Sequence, residues 1–180
     1  MEFGLIQPYY RAADYFKNSS EMLIIRPIQP SDNQPLAAII RQCFHDFKAP
    51  TAGTVYEDPT TDRLYDLFHR KNSVLWVAES EGVVVGCCGL YPDASLPDDT
   101  VELVKFYIAS TARGKGIGKA LMEKSIASAR EFGFRKIYIE SLPEFHVAVS
   151  LYLKYGFQYI DTALGHSTHP GCNVWMVKEI

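Results

Sequence analysis

Between Val101 and Gly133 the chain changes character twice within a few residues. "VELVKFYI" alternates with a period of two and is rich in β-branched and aromatic side chains, the pattern of a strand. "ARGKGIGK" follows, with Gly114, Gly116 and Gly118 at every second position and basic residues between them. Gly118, Leu121, Met122, Ser125, Ile126, Ala129 and Phe132 then recur at helical spacing, and Gly133 ends the helix. A strand that runs through a glycine turn into a helix is an arrangement suited to an anion. The first-turn N–H groups of a helix have no intrahelical partners, its N-terminus carries roughly half a positive charge, and glycine lets a ligand approach the backbone. From Leu103 to Met122 stand Lys105, Arg113, Lys115 and Lys119, with no Asp or Glu. This reads as an anion cradle; the plain alternative is a tight turn before a solvated helix face. The spacing is neither Gly-x-Gly-x-x-Gly nor Gly-Lys-[Ser/Thr], so dinucleotide binding and a P-loop both fit poorly.

The rest of the chain is patterned as one domain. "MLIIRPIQP" is a strand closed by prolines, and "QPLAAIIRQCFHDF" is an amphipathic helix starting near Pro35. "DPTTDRLYDLFHRKN" reads as a second helix. "SVLWVAES" and "GVVVGCCGLYP" are strands joined by a turn at Gly82. Beyond the glycine stretch come a strand "RKIYIES", a helix "PEFHVAVSLYLKYG" and two strands, "FQYIDT" and "NVWMVKEI". The expected fold is a single α/β (α+β) domain over residues 22–180, with a mixed, mostly antiparallel sheet of about six or seven strands flanked by helices. Residues 1–21 show no sustained period and are set apart as an N-terminal extension, either an arm or a short helix packed on the domain.

Composition narrows the function. A net charge of −3 and a pI near 5.9 supply no overall field for nucleic acid or an acidic membrane. No apolar run reaches the ~18 residues of a membrane span, and the first 20 residues lack a secretory signal, which reads as a cytoplasmic protein. Cys43, Cys87, Cys88 and Cys172 are scattered without a Cys-x-x-Cys pair, as free thiols would be. Cys87 and Cys88 could form an acyl-enzyme, but no His and acid are recognisably arranged with them, and strand packing is the better account. His166, His169 and Cys172 have the spacing of metal ligands without an evident fourth, so no metal is expected; they belong to a surface loop or the wall of an acceptor site.

Arg113, Gly116 and Gly118 form an Arg-x-x-Gly-x-Gly pattern that resembles the acyl-CoA-binding signature of the GNAT superfamily of N-acetyltransferases. "ELVKFYIASTARGKGIGKALM" is similar to that family's fourth strand, turn and helix, and "AVSLYLKYGF" resembles its later Leu-Tyr motif. The resemblance implies a sheet splayed between the fourth and fifth strands, with acetyl-CoA as co-substrate. Its pyrophosphate would rest on Arg113, Gly114, Lys115, Gly116, Ile117, Gly118 and Lys119, and its pantetheine arm along Phe106, Tyr107 and Ile108. Tyr152 takes the position of a hydroxyl near the CoA sulfur, a general acid; its other reading is an aromatic packed on the sheet. For the base, Glu140 at the end of the fifth strand is preferred, with Glu102 as rival, since it shares a strand face with Val104 and Phe106 by alternation; a water chain is the third choice. Many relatives carry Asn where this chain has Phe145, so a pantetheine contact is absent or replaced by packing. The implied activity is transfer of acetyl to a primary amine, on a small molecule or peptide, by direct attack in a ternary complex. A non-catalytic acyl-CoA sensor and a plain phosphate-binding module are the alternatives, and the family's habit of pairing through C-terminal strands adds a homodimer.

Overall fold

The computed structural model describes residues 14–18, 21–166 and 169–180. Eight strands form one sheet in the order β1-β2-β3-β4-β5-β6-β8-β7. The strands are β1 (Asp14–Asn18), β2 (Glu21–Pro27), β3 (Val74–Ser80), β4 (Val83–Tyr91), β5 (Thr100–Ile108), β6 (Lys136–Ser141), β7 (Gln158–Tyr159) and β8 (Val174–Glu179). All neighbours are antiparallel except β5 and β6, which run parallel. The eighth strand is β1, a piece of the N-terminal extension that pairs with β2 from Asp14↔Ile25 to Asn18↔Glu21, so this piece is neither free arm nor helix. Its addition makes the fourth and fifth strands of the sequence reading β5 and β6.

Helix α1 (Asn33–Phe47) and the single turn α2 (Leu64–Leu67) cover one face; α3 (Ile117–Glu131) covers the other, and α4 (His146–Lys154) packs with it. The second expected helix shrinks to one turn because Asp58 caps a separate 3-10 turn at Pro59–Asp62, and Arg63 then leaves helical geometry at φ −134°. The β3–β4 hairpin turns through Glu81 and Gly82, both at positive φ, as a two-residue I′ turn requires.

β3 is buried on both faces, with Trp76 in the core under α3 and Leu75 and Val77 in the core under α1. A bulge interrupts β5: Cys87 pairs with Tyr107 but Gly89 pairs with Val104, leaving one extra residue on β5. Lys105, in that bulge, sits at φ +54°, outside the usual range for a side chain-bearing residue. The consequence is a change of face. Val101 and Leu103 pack under α3 and Val104 under α1, but beyond the bulge Phe106 and Ile108 pack under α3 and Tyr107 under α1. Glu102 therefore shares its face with Val104 and not with Phe106; the expected alternation ends at Lys105.

Candidate active site

β5 pairs with β6 only through Thr100, Val101 and Glu102, whereas its pairing with β4 continues to Ile108. From Leu103 onward the two parallel strands have parted, and the β6 side of Phe106, Tyr107 and Ile108 is left without a strand. A cavity of about 540 Å³ opens along this stretch of β5. Its wall takes Glu102 to Tyr107 from β5, Glu140 from β6, Ala148 and Tyr152 from α4, Asp58 and its neighbours from the loop before α2, and His169 and Cys172 from the loop before β8.

At one end of the splayed strand lies the glycine turn. A 3-10 turn (Ser110–Ala112) leads through Gly114 at φ +78° to Gly116 at φ +82°, which starts α3 without a side chain capping its N–H groups. A Cβ on Gly114 would meet nothing within 4 Å, so that glycine serves backbone conformation. Gly118 has a different reason to be glycine: a Cβ there would lie 3.1 Å from Ile108 Cδ1 and 3.3 Å from Phe106 Cζ, so its absence lets α3 close on β5. The bare N–H groups and the open glycine surface fit an anionic ligand.

The basic side chains of the turn divide. The Arg113 guanidinium donates to the Ile108 carbonyl at 2.9 Å and to Asp46 at 2.7 Å, and lies 4.7 Å from the centre of the Phe47 ring. It ties the end of β5 to α1 while its backbone stays in the turn. Lys119 is exposed, 3.9 Å from Glu123.

Tyr152 approaches the gap from the α3 side, buried, with its ring 5.9 Å from both Phe106 and Phe157. Burial raises its phenol well above the ordinary value, so it keeps its proton. Its hydroxyl makes no hydrogen bond among the described residues. Glu102 and Glu140 line the same cavity. Burial and then the charges of Glu140 and Asp93 push Glu102 up to about 8, partly opposed by Lys105. Glu140 accepts a hydrogen bond from the Tyr138 hydroxyl at 2.8 Å, and the Leu164 N–H donates to that same hydroxyl at 3.2 Å. Phe145 packs edge-on against Phe44, Phe47 and Tyr107 at 5.1, 5.6 and 5.8 Å, the aromatic packing expected in place of an amide contact.

This geometry agrees with what similar chains are. Residues 37–157 match the family model of the Acetyltransferase (GNAT) family. The chain belongs to the GNAT acetyltransferase family. It is 35% identical over 158 residues to the uncharacterized N-acetyltransferase YjgM of Escherichia coli K12, covering 87% of this chain and 95% of that protein. It is also 35% identical over 127 residues to N-acetyltransferase 8B of Rattus norvegicus, covering 69% of this chain but only 52% of that relative. Among solved GNAT folds, Salmonella typhimurium yncA with its cofactor acetyl-CoA superposes with a TM-score of 0.67 at 22% identity, over 87% of this chain and 93% of that one.

Several residues of this GNAT cavity escaped the sequence reading. Asp93 joins Glu102 and Glu140 in the wall, and Lys105 is only 6% exposed there. By sequence Lys105 groups with the basic residues of the anion cradle; the structure instead buries its side chain in the cavity wall. Asp58 opens the segment read as a second helix, yet in the cavity wall hydrogen bonds from Thr60 and the charge of Lys105 outweigh burial and hold its carboxyl down to about 2. His169 lines the cavity, with Nε2 3.1 Å from Asp58, whereas the His166 N–H is bound by Ser95. Among the described residues no group of three His, Cys, Asp or Glu is placed to hold a metal ion. Cys87 and Cys88 are fully buried; Cys87 Sγ donates to the Lys105 carbonyl at 3.0 Å, so it supports the bulge.

Proposed function

We propose that this GNAT protein moves an acetyl group from acetyl-CoA to a primary amine, which attacks directly while both substrates are bound. The observation that carries the reading is the unpaired edge at Phe106, Tyr107 and Ile108, which runs from the bare glycine turn into a cavity holding Glu102 and Tyr152. Backbone from Arg113 to Lys119 would hold the pyrophosphate, and the β5 edge would take the pantetheine arm as an added strand. When bound, the co-substrate supplies an acyl group activated as a thioester.

The chain's residues then divide the proton work. Glu102 takes the proton from the attacking nitrogen. A carboxyl pushed up to about 8 is better matched to an amine than an ordinary glutamate, and an entering cation favours its charged form. Glu140, held by Tyr138, supports that role by its charge. Tyr152, kept protonated by burial, donates to the departing sulfur. Four free thiols and a CoA-dependent reaction support a cytoplasmic location, and no helix among the described residues is long and apolar enough to cross a membrane. The test is release of free CoA thiol across an amine library with wild type, Glu102→Gln and Tyr152→Phe. Turnover with at least one amine, lost in both variants while CoA still binds, is the expected result; turnover unchanged in both would overturn these roles.

A further inference from the structure

Lys105 departs from ordinary behaviour twice at one position. Its backbone is strained at φ +54°, and its ammonium is buried without a hydrogen-bond acceptor among the described residues. Buried N–H groups left unfilled are costly and rare, so such a lysine in the wall of an active-site cavity calls for a reason. The nearest anion, Asp58 Oδ2, is 3.6 Å away, too far for a good hydrogen bond. Asp58 cannot easily come closer, because its oxygens are already in use. Oδ1 accepts from the Thr60 N–H at 2.8 Å and the Thr60 hydroxyl at 2.7 Å, and Oδ2 lies 3.1 Å from His169 Nε2. Asp58 thus balances the lysine's charge and leaves its three donors unfilled.

The bulge is what brings this ammonium to the cavity. In an unbroken β5, Lys105 would follow Val101 and Leu103 onto the face packed under α3; the extra residue turns it toward Asp58 and the acceptor side instead. The other end of the same wall carries Asp93, Glu102 and Glu140. The cavity therefore holds a cluster of carboxyl groups around the proposed base and, three residues further along β5, a buried lysine whose charge Asp58 balances but whose donors it does not fill.

We infer that the acceptor is an amino acid, whose amine approaches Glu102 and whose carboxylate is received by Lys105. This rests on the acetyltransfer reading above and narrows its substrate. A carboxylate fills the vacant donors and completes a zwitterion's match to the two ends, and the flexible four-carbon stem of lysine lets Nζ turn from Asp58 to meet it. A simple alkylamine leaves the donors unfilled, and a polyamine brings a second cation against Lys105.

The test uses the full chain with saturating acetyl-CoA and matched trios, each an amino acid, its carboxamide and its decarboxylated amine, drawn from the proteinogenic set. For the preferred side chain, kcat/KM for the amino acid should exceed that for the bare amine by roughly 100-fold or more, with the carboxamide between them. In Lys105→Met the preference should fall to about threefold or less, mostly through a higher KM for the amino acid, while CoA binding and the thermal melt report on the fold. Equal turnover of amino acid and carboxamide, better turnover of the bare amine, or a preference that survives in Lys105→Met would each overturn the inference and leave acetyltransfer standing. Absence of thiol release with every trio and every simple amine, in protein that binds acetyl-CoA, would overturn the acetyltransfer reading itself and this inference with it.

Discussion

The proposed CoA cradle is one stretch of chain, Arg113 to Lys119, whereas the acceptor cavity collects side chains from α1, α2, α4, the strands β4, β5 and β6 and the loops around them. The cradle works through backbone N–H groups, which any sequence has, and needs only glycines and a helix start to bare them. The cavity works through charges whose values are set by burial and by one another. Glu102 is raised by burial and then by its acidic neighbours, and Asp58 is lowered by Thr60 and Lys105 against the cost of burial, so neither behaves as its residue type alone would indicate. The local half is thus built to be general, and the assembled half carries the specificity.

That contrast can be broken at several points. The largest effect should come from Gly116→Val, which forces a β-branched side chain to φ +82° in the cradle. Calorimetric titration should show CoA affinity reduced by roughly 100-fold or more, with far-UV circular dichroism retained. Gly118→Val should also lower the melting temperature, here through crowding, because its side chain meets Ile108 and Phe106. Glu102→Gln should lower kcat/KM by roughly 10²–10³-fold with acetyl-CoA binding unchanged. The acid limb of the wild-type pH profile, expected near about 8, should vanish with it. Tyr152→Phe should cost roughly 10–100-fold in kcat and little in KM for acetyl-CoA, as measured by steady-state thiol release.

A smaller effect separates the turn's backbone from its side chain. Arg113→Ala should destabilise the fold by about 1–3 kcal/mol in denaturant unfolding, through the lost links to Asp46 and the Ile108 carbonyl. CoA affinity should change about fivefold or less, because the guanidinium already serves α1. The smallest effect is on stability. Burial holds Glu102 in the folded state above the ordinary glutamate value of 4.5, so its contribution is favourable below that pH and is lost as pH rises toward about 8. Glu102→Gln should therefore melt at the same temperature as wild type near pH 4.5 and a few degrees higher near pH 8.

Much of the frame was legible because it depends on periodicity and turn chemistry. The strand–glycine–helix unit, the I′ hairpin at Gly82 and the Leu-Tyr helix are all local patterns, and each formed where its residues predicted. β1 was missed because the segment preceding Met22 has no clear period; its pairing with β2 is what makes it a strand. The segment from Asp58 to Asn72 has the spacing of a helix, but the side-chain cap of Asp58 and the broken geometry at Arg63 divide it.

The sequence by itself determined the order of elements from β2 onward, through local spacing, and offered the glycine turn as an anion cradle and, by family resemblance, Tyr152, Glu140 and Glu102 as candidates. Only the tertiary structure decided how the candidates are used. One extra residue in β5 reverses which face every later side chain occupies, and no count of period two shows where that residue sits until β4 is laid beside it. That bulge separates Glu102 from Phe106 and carries Lys105 out of the α3 core into the cavity. The raised carboxyl of Glu102 likewise arises from burial and from the charges of Glu140 and Asp93, which reach it only through the fold.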